Sequence, residues 1–227
     1  MTSEWWKRCL AEAIATFGLT LIGAGAVCVN QYGGGELGLS GIALAHAGVL
    51  TAMMYATAHI SGGHMNPAVT VAVAMNGGLT PRAAGLYIVA QLAGAAVAGF
   101  TLAGIFAPEV WGPVGLGTPT LSPEVALSTG VFLEALLTFF LVFVFLQVAA
   151  DGRAPDNVYG LAIGFVLFAG MLFGGTLTGA AMNPARAFGP ALASGTWTHQ
   201  LVYWLGPLSG ALVAALAFRL LQPTDTD

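Results

Sequence analysis

Six apolar windows, near residues 7–29, 38–58, 82–105, 124–149, 158–175 and 199–221, constrain this chain more than any other feature. A bilayer's hydrocarbon core needs about 20 predominantly apolar helical residues to cross it, and each window is about that long. Only 7% of residues are charged and 57% are apolar, against about 25% charged in a soluble domain. Such a chain cannot cover a water-facing globule. Disorder, a coiled coil and a disulfide scaffold fall on the same numbers.

Two more helical stretches, 66–76 and 184–194, are too short to span. The expected fold is therefore an all-α membrane protein with six transmembrane helices and two re-entrant half-helices. Lys7 and Arg8 before an apolar run imitate a secretory signal, but the run is long enough to span and Glu12 interrupts it. It reads as an uncleaved first helix. Cys9 and Cys28 lie in that helix, roughly 28 Å apart along its axis, too far to bond. With both termini in the cytoplasm, Lys7, Arg8, Arg82, Arg153 and Arg219 fall at cytoplasmic ends, and loops 30–37 and 106–123 carry no Lys or Arg. Arg186 alone breaks the pattern. A net charge of −4 leaves no basic face for nucleic acid.

The chain repeats. Glu12-Ala-Ile-Ala-Thr-Phe17 returns as Glu134-Ala-Leu-Leu-Thr-Phe139, Ser61-Gly-Gly-His-Met-Asn-Pro-Ala68 as Thr178-Gly-Ala-Ala-Met-Asn-Pro-Ala185, and Leu92-Ala-Gly-Ala-Ala-Val-Ala98 as Leu208-Ser-Gly-Ala-Leu-Val-Ala214. Repeat one covers about 1–110 and repeat two about 120–227, within one domain of 1–227. Each half holds three spans, so the second enters the membrane upside down: an inverted 3+3 repeat, whose working site belongs where the halves meet near the midplane.

Asn66-Pro67-Ala68 and Asn183-Pro184-Ala185 each read as a helix start, with Asn as N-cap and Pro at the first helical position. Two half-helices of about 15 Å, tip to tip, sum to the hydrocarbon thickness. Gly62, Gly63 and Gly179 predict an extended approach with exposed carbonyls. Both tips bring partial positive charge to the midplane, and each Asn can cap with its oxygen while offering N–H donors. A water there would accept through its oxygen and donate outward in both directions, which breaks a proton wire while the dipoles repel cations. The implied cargo is a neutral solute of water size.

On these residues the chain resembles the aquaporin, or major intrinsic protein, family. The likeness rests on both Asn-Pro-Ala loops, Asn183-Pro-Ala-Arg186, His59-Ile-Ser-Gly-Gly-His64 and the two Glu-x-x-x-Thr segments. It implies an hourglass pore in every subunit of a homotetramer. It also implies a selectivity filter at the arginine that follows the second Asn-Pro-Ala, matched here by Arg186. Counting from the landmarks, the other filter positions fall on His46, Met171 and the carbonyl region of Ala180. Strict water channels of the family place Phe and His where this chain has His46 and Met171. The pattern looks more like plant vacuolar-membrane aquaporins, some of which also pass ammonia, urea or peroxide. Glycerol facilitators carry Asp, a basic residue and a Pro-aliphatic pair where this chain has Ala187, Ala191 and Tyr203-Trp204. That difference favours water over glycerol. The loop Gly115-Leu-Gly-Thr118 is expected, on the family's arrangement, to dip into the outer mouth.

Alternatives stand beside several of these residues. Arg186 filters solutes or braces loop carbonyls; His46 lines the pore or packs as a hydrogen-bonded bundle histidine. Glu12 and Glu134 are proton relays or, as buried carboxylates needing partners, braces for the two loops, and bracing is favoured. His59 and His64 line a cytoplasmic vestibule or hold the first loop. Gly160/Gly164 and Gly170/Gly174 have the spacing of helix-packing contacts. No metal-ligand cluster, nucleophile–base pair or phosphate loop is present, so neither an enzyme nor a cofactor is expected.

The expected function is a passive channel for water and small neutral solutes, seated in the lipid bilayer of the cell membrane. A coupled secondary transporter and a glycerol-type facilitator are the alternatives. Coupled transport calls for a titratable or ion-binding group beside the substrate, and this midplane offers amides and dipoles.

Overall fold

A computed structural model describes residues 4–154 and 158–222. Among the described residues, six helices are long and apolar enough to cross a bilayer: α1 (Trp5–Tyr32), α2 (Gly38–Ser61), α4 (Pro81–Ile105), α6 (Leu127–Phe145), α7 (Tyr159–Thr178) and α9 (Val202–Leu220). The two half-helices are α3 (Pro67–Met75) and α8 (Pro184–Ser194). Between the halves lie a helical turn, α5 (Pro108–Trp111), and a 3₁₀ segment, Gly112–Gly117, neither of which the apolar pattern announced. The described residues contain no strand.

The ends of the spans follow local chemistry. The window beginning at 124 starts its helix only at Leu127, because a turn closes first with the Val125 N–H on the Ser122 carbonyl. At its far end α6 gives way to one π turn, Leu146–Ala150. The last window starts at Val202 rather than 199, since His199 takes a left-handed φ of 58°. Thr80 caps α4, accepting from the Ala83 N–H at 3.3 Å, with Pro81 at the first position.

The packing repeats as the sequence does. α1 packs on α2 and α4 as α6 packs on α7 and α9, while α3 lies against α9 and α8 against α4. Matching glycines allow the tightest crossings: a Cβ on Gly94 would meet the Ala13 carbonyl oxygen at 2.2 Å, and one on Gly210 the Ala135 oxygen at 2.0 Å. Small residues matter here because lipid gives no hydrophobic drive between helices, leaving close packing to hold them. Gly160 and Gly164 sit against Tyr55 and Thr51, and Gly174 against Leu137.

The loops leading to α3 and α8 correct one expectation. They are not extended throughout: Gly62 (φ 92°), Gly63 (64°) and Met65 (51°) in the first, and Gly179 (82°), Ala180 (43°) and Met182 (50°) in the second, take left-handed backbone, while Asn66 and Asn183 are extended. These angles turn the chain from each spanning helix into a half-helix within the five residues that separate Ser61 from Pro67 and Thr178 from Pro184. Glycine accepts such angles without strain; for Met65, Ala180 and Met182 the cost is about 1–2 kcal/mol each. Surrounding hydrogen bonds must supply that cost.

Candidate functional site

Each half-helix begins as its sequence dictates. The Asn66 side-chain oxygen accepts from the Ala68 N–H at 2.9 Å, and that of Asn183 from the N–H groups of Ala185 and Arg186 at 3.0 and 3.2 Å. Pro67 and Pro184 occupy the first helical positions, and both Asn-Pro-Ala triplets are buried. The amide nitrogens then cross. Asn66 Nδ2 donates to the Met182 carbonyl and Asn183 Nδ2 to the Met65 carbonyl, both at 2.8 Å. The tips of α3 and α8 are thus tied to one another, and each amide keeps one hydrogen uncommitted.

Glu12 and Glu134 hold the loops behind these tips. Glu12 accepts from the Ser61 hydroxyl (2.7 Å), the N–H groups of His64 (2.9 Å) and Met65 (2.7 Å), and Gln91 Nε2 (2.7 Å). Glu134 accepts from the Thr178 hydroxyl (2.7 Å) and the N–H groups of Ala181 (3.0 Å) and Met182 (2.8 Å). Tyr87 and Tyr203 complete the symmetry, donating to the carbonyls of Ser61 (2.9 Å) and Thr178 (2.7 Å). These bonds satisfy the left-handed stretches, and the fully buried carboxylates receive the donors a buried charge requires.

A cavity of about 30 Å³ lies between the halves, bordered by Asn66, Asn183, His46, His64 and Arg186 together with apolar side chains that include Leu19, Val69, Phe145 and Ile163. By the measure that a single water needs roughly 10–15 Å³, it has room for about two. A wider vestibule of about 430 Å³, bordered by Met171, Thr118 and Gly179, shares Arg186 with it. Arg186 therefore stands where the two meet. Its Nη1 donates to the Gly117 carbonyl at 2.7 Å, and Nε and Nη2 lie 3.2 and 3.1 Å from His46 Nε2. His46 Nδ1 lies 2.9 Å from the Ile42 carbonyl, which has only an acceptor to give. The ring proton is therefore on Nδ1, and Nε2 accepts from the guanidinium.

Sequence reasoning pointed to most of these residues but not to all of their partners. Ala180 is buried between Gly179, which borders the vestibule, and Ala181, which borders the cavity. His59 stands exposed on the last turn of α2 and is not brought to the cavity with His64. Gln91, Thr70 and Tyr87 were not among the expected residues, and Tyr203 was singled out only for solute type, not as a loop partner. The tyrosines had a signal: Tyr87 and Tyr203 precede the matching blocks at Leu92 and Leu208 by the same interval. Among the described residues, no group of three His, Cys, Asp or Glu side chains is placed to hold a metal ion.

The comparisons with known proteins agree on one lineage. The family model described as major intrinsic protein matches residues 1–218. Aquaporin NIP1-2 of Oryza sativa subsp. japonica is 40% identical over 95% of this chain and 72% of its own length. Aquaporin TIP4-4 of Zea mays is 41% identical over 93% of this chain and 85% of its own. In fold, the chain is similar to the aquaglyceroporin of Plasmodium falciparum, with a TM-score of 0.84, 22% identity and 96% of each chain covered.

Proposed function

The chain belongs to the major intrinsic protein family, whose members are channels rather than enzymes, and from that premise we propose a passive pore for water that also admits small neutral solutes such as ammonia, urea and hydrogen peroxide. The observation that carries this reading is the crossed pair of bonds from Asn66 to Met182 and from Asn183 to Met65. It fixes two helix N-termini tip to tip, with one amide hydrogen left on each side for a solute oxygen. A molecule gripped there by its oxygen points its own hydrogens away in both directions, which interrupts proton transfer along a water file, and the two positive helix ends disfavour cations.

Selectivity on this reading resides at His46, Met171, Ala180 and Arg186. Three of the five guanidinium N–H groups are engaged by His46 and Gly117, which leaves two for a passing acceptor. Because His46 Nε2 is already taken, His46 acts by setting the position of Arg186. The names of the relatives favour water without dividing vacuolar-type from other plant aquaporins. The pore is proposed to run through each subunit of a homotetramer in the cell membrane with both termini cytoplasmic. In keeping with that orientation, Arg153 and Arg219 sit at one face, bonded to Gln222 (2.8 Å) and Asn76 (3.0 Å).

Stopped-flow light scattering on proteoliposomes tests the proposal, with water, glycerol, urea and ammonia compared and a proton-leak control. Water flow well above that of empty vesicles, with a low activation energy and no proton leak, is the expected result. Vesicles no more permeable than empty ones would overturn it, and saturable, gradient-driven uptake would mark a coupled transporter instead.

A further inference from the structure

The internal repeat sets a second ring on the opposite side of the Asn pair from Arg186. Counted from the Asn-Pro-Ala landmarks, the mates of Arg186 and His46 are Val69 and Ile163; counted from Glu12 and Glu134, the mate of Gly23 is Phe145. All three mates border the cavity that Asn66 and Asn183 enter. The bulk changes sides between the rings. On the outer side the imidazole of His46 lies over Gly23, where a Cβ would come within 2.4 Å of its ring. On the inner side the aromatic group is Phe145, edge-on to His64 with ring centroids 5.6 Å apart and planes at 90°.

His64 also differs from His46 in what it has left to offer. The Thr70 hydroxyl gives its one hydrogen to the Asn66 carbonyl (3.0 Å) and receives Gln91 Nε2 (2.9 Å). Towards His64 Nδ1, 3.1 Å away, Thr70 can then only accept. With the Thr70 hydrogen placed on the Asn66 carbonyl, the proton of His64 sits on Nδ1 and Nε2 is left as an acceptor in a side chain that borders the cavity. In the second repeat His64, Thr70 and Gln91 become Ala181, Ala187 and Pro207, so this acceptor has no counterpart outside.

We propose that His64 and Phe145 form a second selectivity ring, inward of the Asn pair, which excludes polyols by size and offers His64 Nε2 to the N–H or O–H of a permeant molecule. Thr70 and Gln91 are positioning residues that hold the imidazole in its tautomer. The proposal rests on the passive-channel reading above. Water flow through the unmodified protein checks that reading separately, before any variant is compared.

Two barriers in series give a distinctive result. Glycerol flux is measured in proteoliposomes for Arg186→Val, for Phe145→Ala and for the pair, with cooperative thermal unfolding in detergent showing that each variant is folded. Either single variant leaves the other ring in the path and glycerol flux within about twofold of the unmodified protein, whereas the pair raises it by about tenfold or more. Full glycerol flux from Arg186→Val alone, or no gain from the pair, overturns the proposal. Should Phe145→Ala fail to fold, Ile163→Ala opens the same ring and is read the same way. Thr70→Val tests the acceptor: the ratio of hydrogen peroxide flux to water flux falls if Nε2 serves the permeant. An unchanged ratio overturns that assignment.

Discussion

Arg186 and His46 share one ring nitrogen: the guanidinium Nε and Nη2 lie 3.2 and 3.1 Å from His46 Nε2. The contact exists because position 23 has no side chain. A Cβ there would stand 2.4 Å from His46 Cδ2 and 2.5 Å from Nε2, far inside van der Waals contact. Gly23→Ala must therefore push the imidazole off Nε and Nη2 of Arg186. Overpacking of this kind costs about 1–3 kcal/mol, and the released guanidinium alters the filter as well. Thermal unfolding in detergent should show the loss, and solute-to-water flux ratios the altered filter. An unmoved Tm together with unmoved ratios would show that the contact is not restrictive.

The architecture was legible in the sequence because membrane helices and inverted repeats leave long-range signals. Spans, half-helices and the Asn caps follow from apolar length, from Pro at the first helical turn and from three blocks recurring in order. What escaped was whatever depends on backbone angles or on partners far along the chain. Gly62, Gly63 and Gly179 suggested extended backbone, yet the tips need left-handed turns that Met65, Ala180 and Met182 also adopt, and no propensity points to a left-handed methionine. Gln91 reaches Glu12 from a different helix, and only the three-dimensional meeting of α1 with α4 reveals the pairing. His46 and His64 were both legible as candidates. Which of them keeps a free acceptor depends on Thr70 and Arg186, and therefore on coordinates.

Removing the guanidinium changes what the pore does with protons. Arg186 is buried, and its Nη1 is anchored to the Gly117 carbonyl at 2.7 Å. A second cation about 4 Å away would feel about 4 kcal/mol of repulsion at an effective dielectric of about 20. Arg186→Val abolishes that repulsion but leaves both helix tips in place, so proton leak should rise by about tenfold or more without becoming unrestricted. A pH-sensitive dye inside proteoliposomes reads it. A leak equal to that of the unmodified protein would assign proton exclusion to the Asn pair alone.

At the face that carries Arg219, Arg153 donates to Asp151 from its side chain and its backbone N–H, and Gln222 joins them. The side-chain bonds from Arg153 are the main reason the Asp151 carboxyl is held well below the usual carboxylate range. A depressed folded-state pKa means a contribution that is present above about pH 4 and disappears as pH falls through the folded value. The gap in Tm between the unmodified protein and Asp151→Asn should thus be open at pH 7 and shrink in acid. High salt should shrink it too, since the Arg153 partner is half exposed. A gap indifferent to both pH and salt would assign the link to packing rather than charge.

The two buried carboxylates separate by what their repeat mates can supply. Glu12 receives two donors on each oxygen, the Ser61 hydroxyl and the His64 N–H on one, the Met65 N–H and Gln91 on the other. Glu134 receives two on one oxygen and only the Met182 N–H on the other, because the mate of Gln91 is Pro207, which has no side-chain donor. Glutamine in either place turns one oxygen into an amide that donates where it must accept. At position 134 the amide can be turned to the side with a single donor; at position 12 both sides hold two. With each hydrogen bond to a charged group worth about 1.5–3 kcal/mol, Glu12→Gln, which gives up a carboxylate holding four donors rather than three, forfeits more than Glu134→Gln does. Unfolding in detergent should rank the variants in that order. Equal losses, or a greater loss at position 134, would mean that Gln91 contributes nothing to holding the first loop.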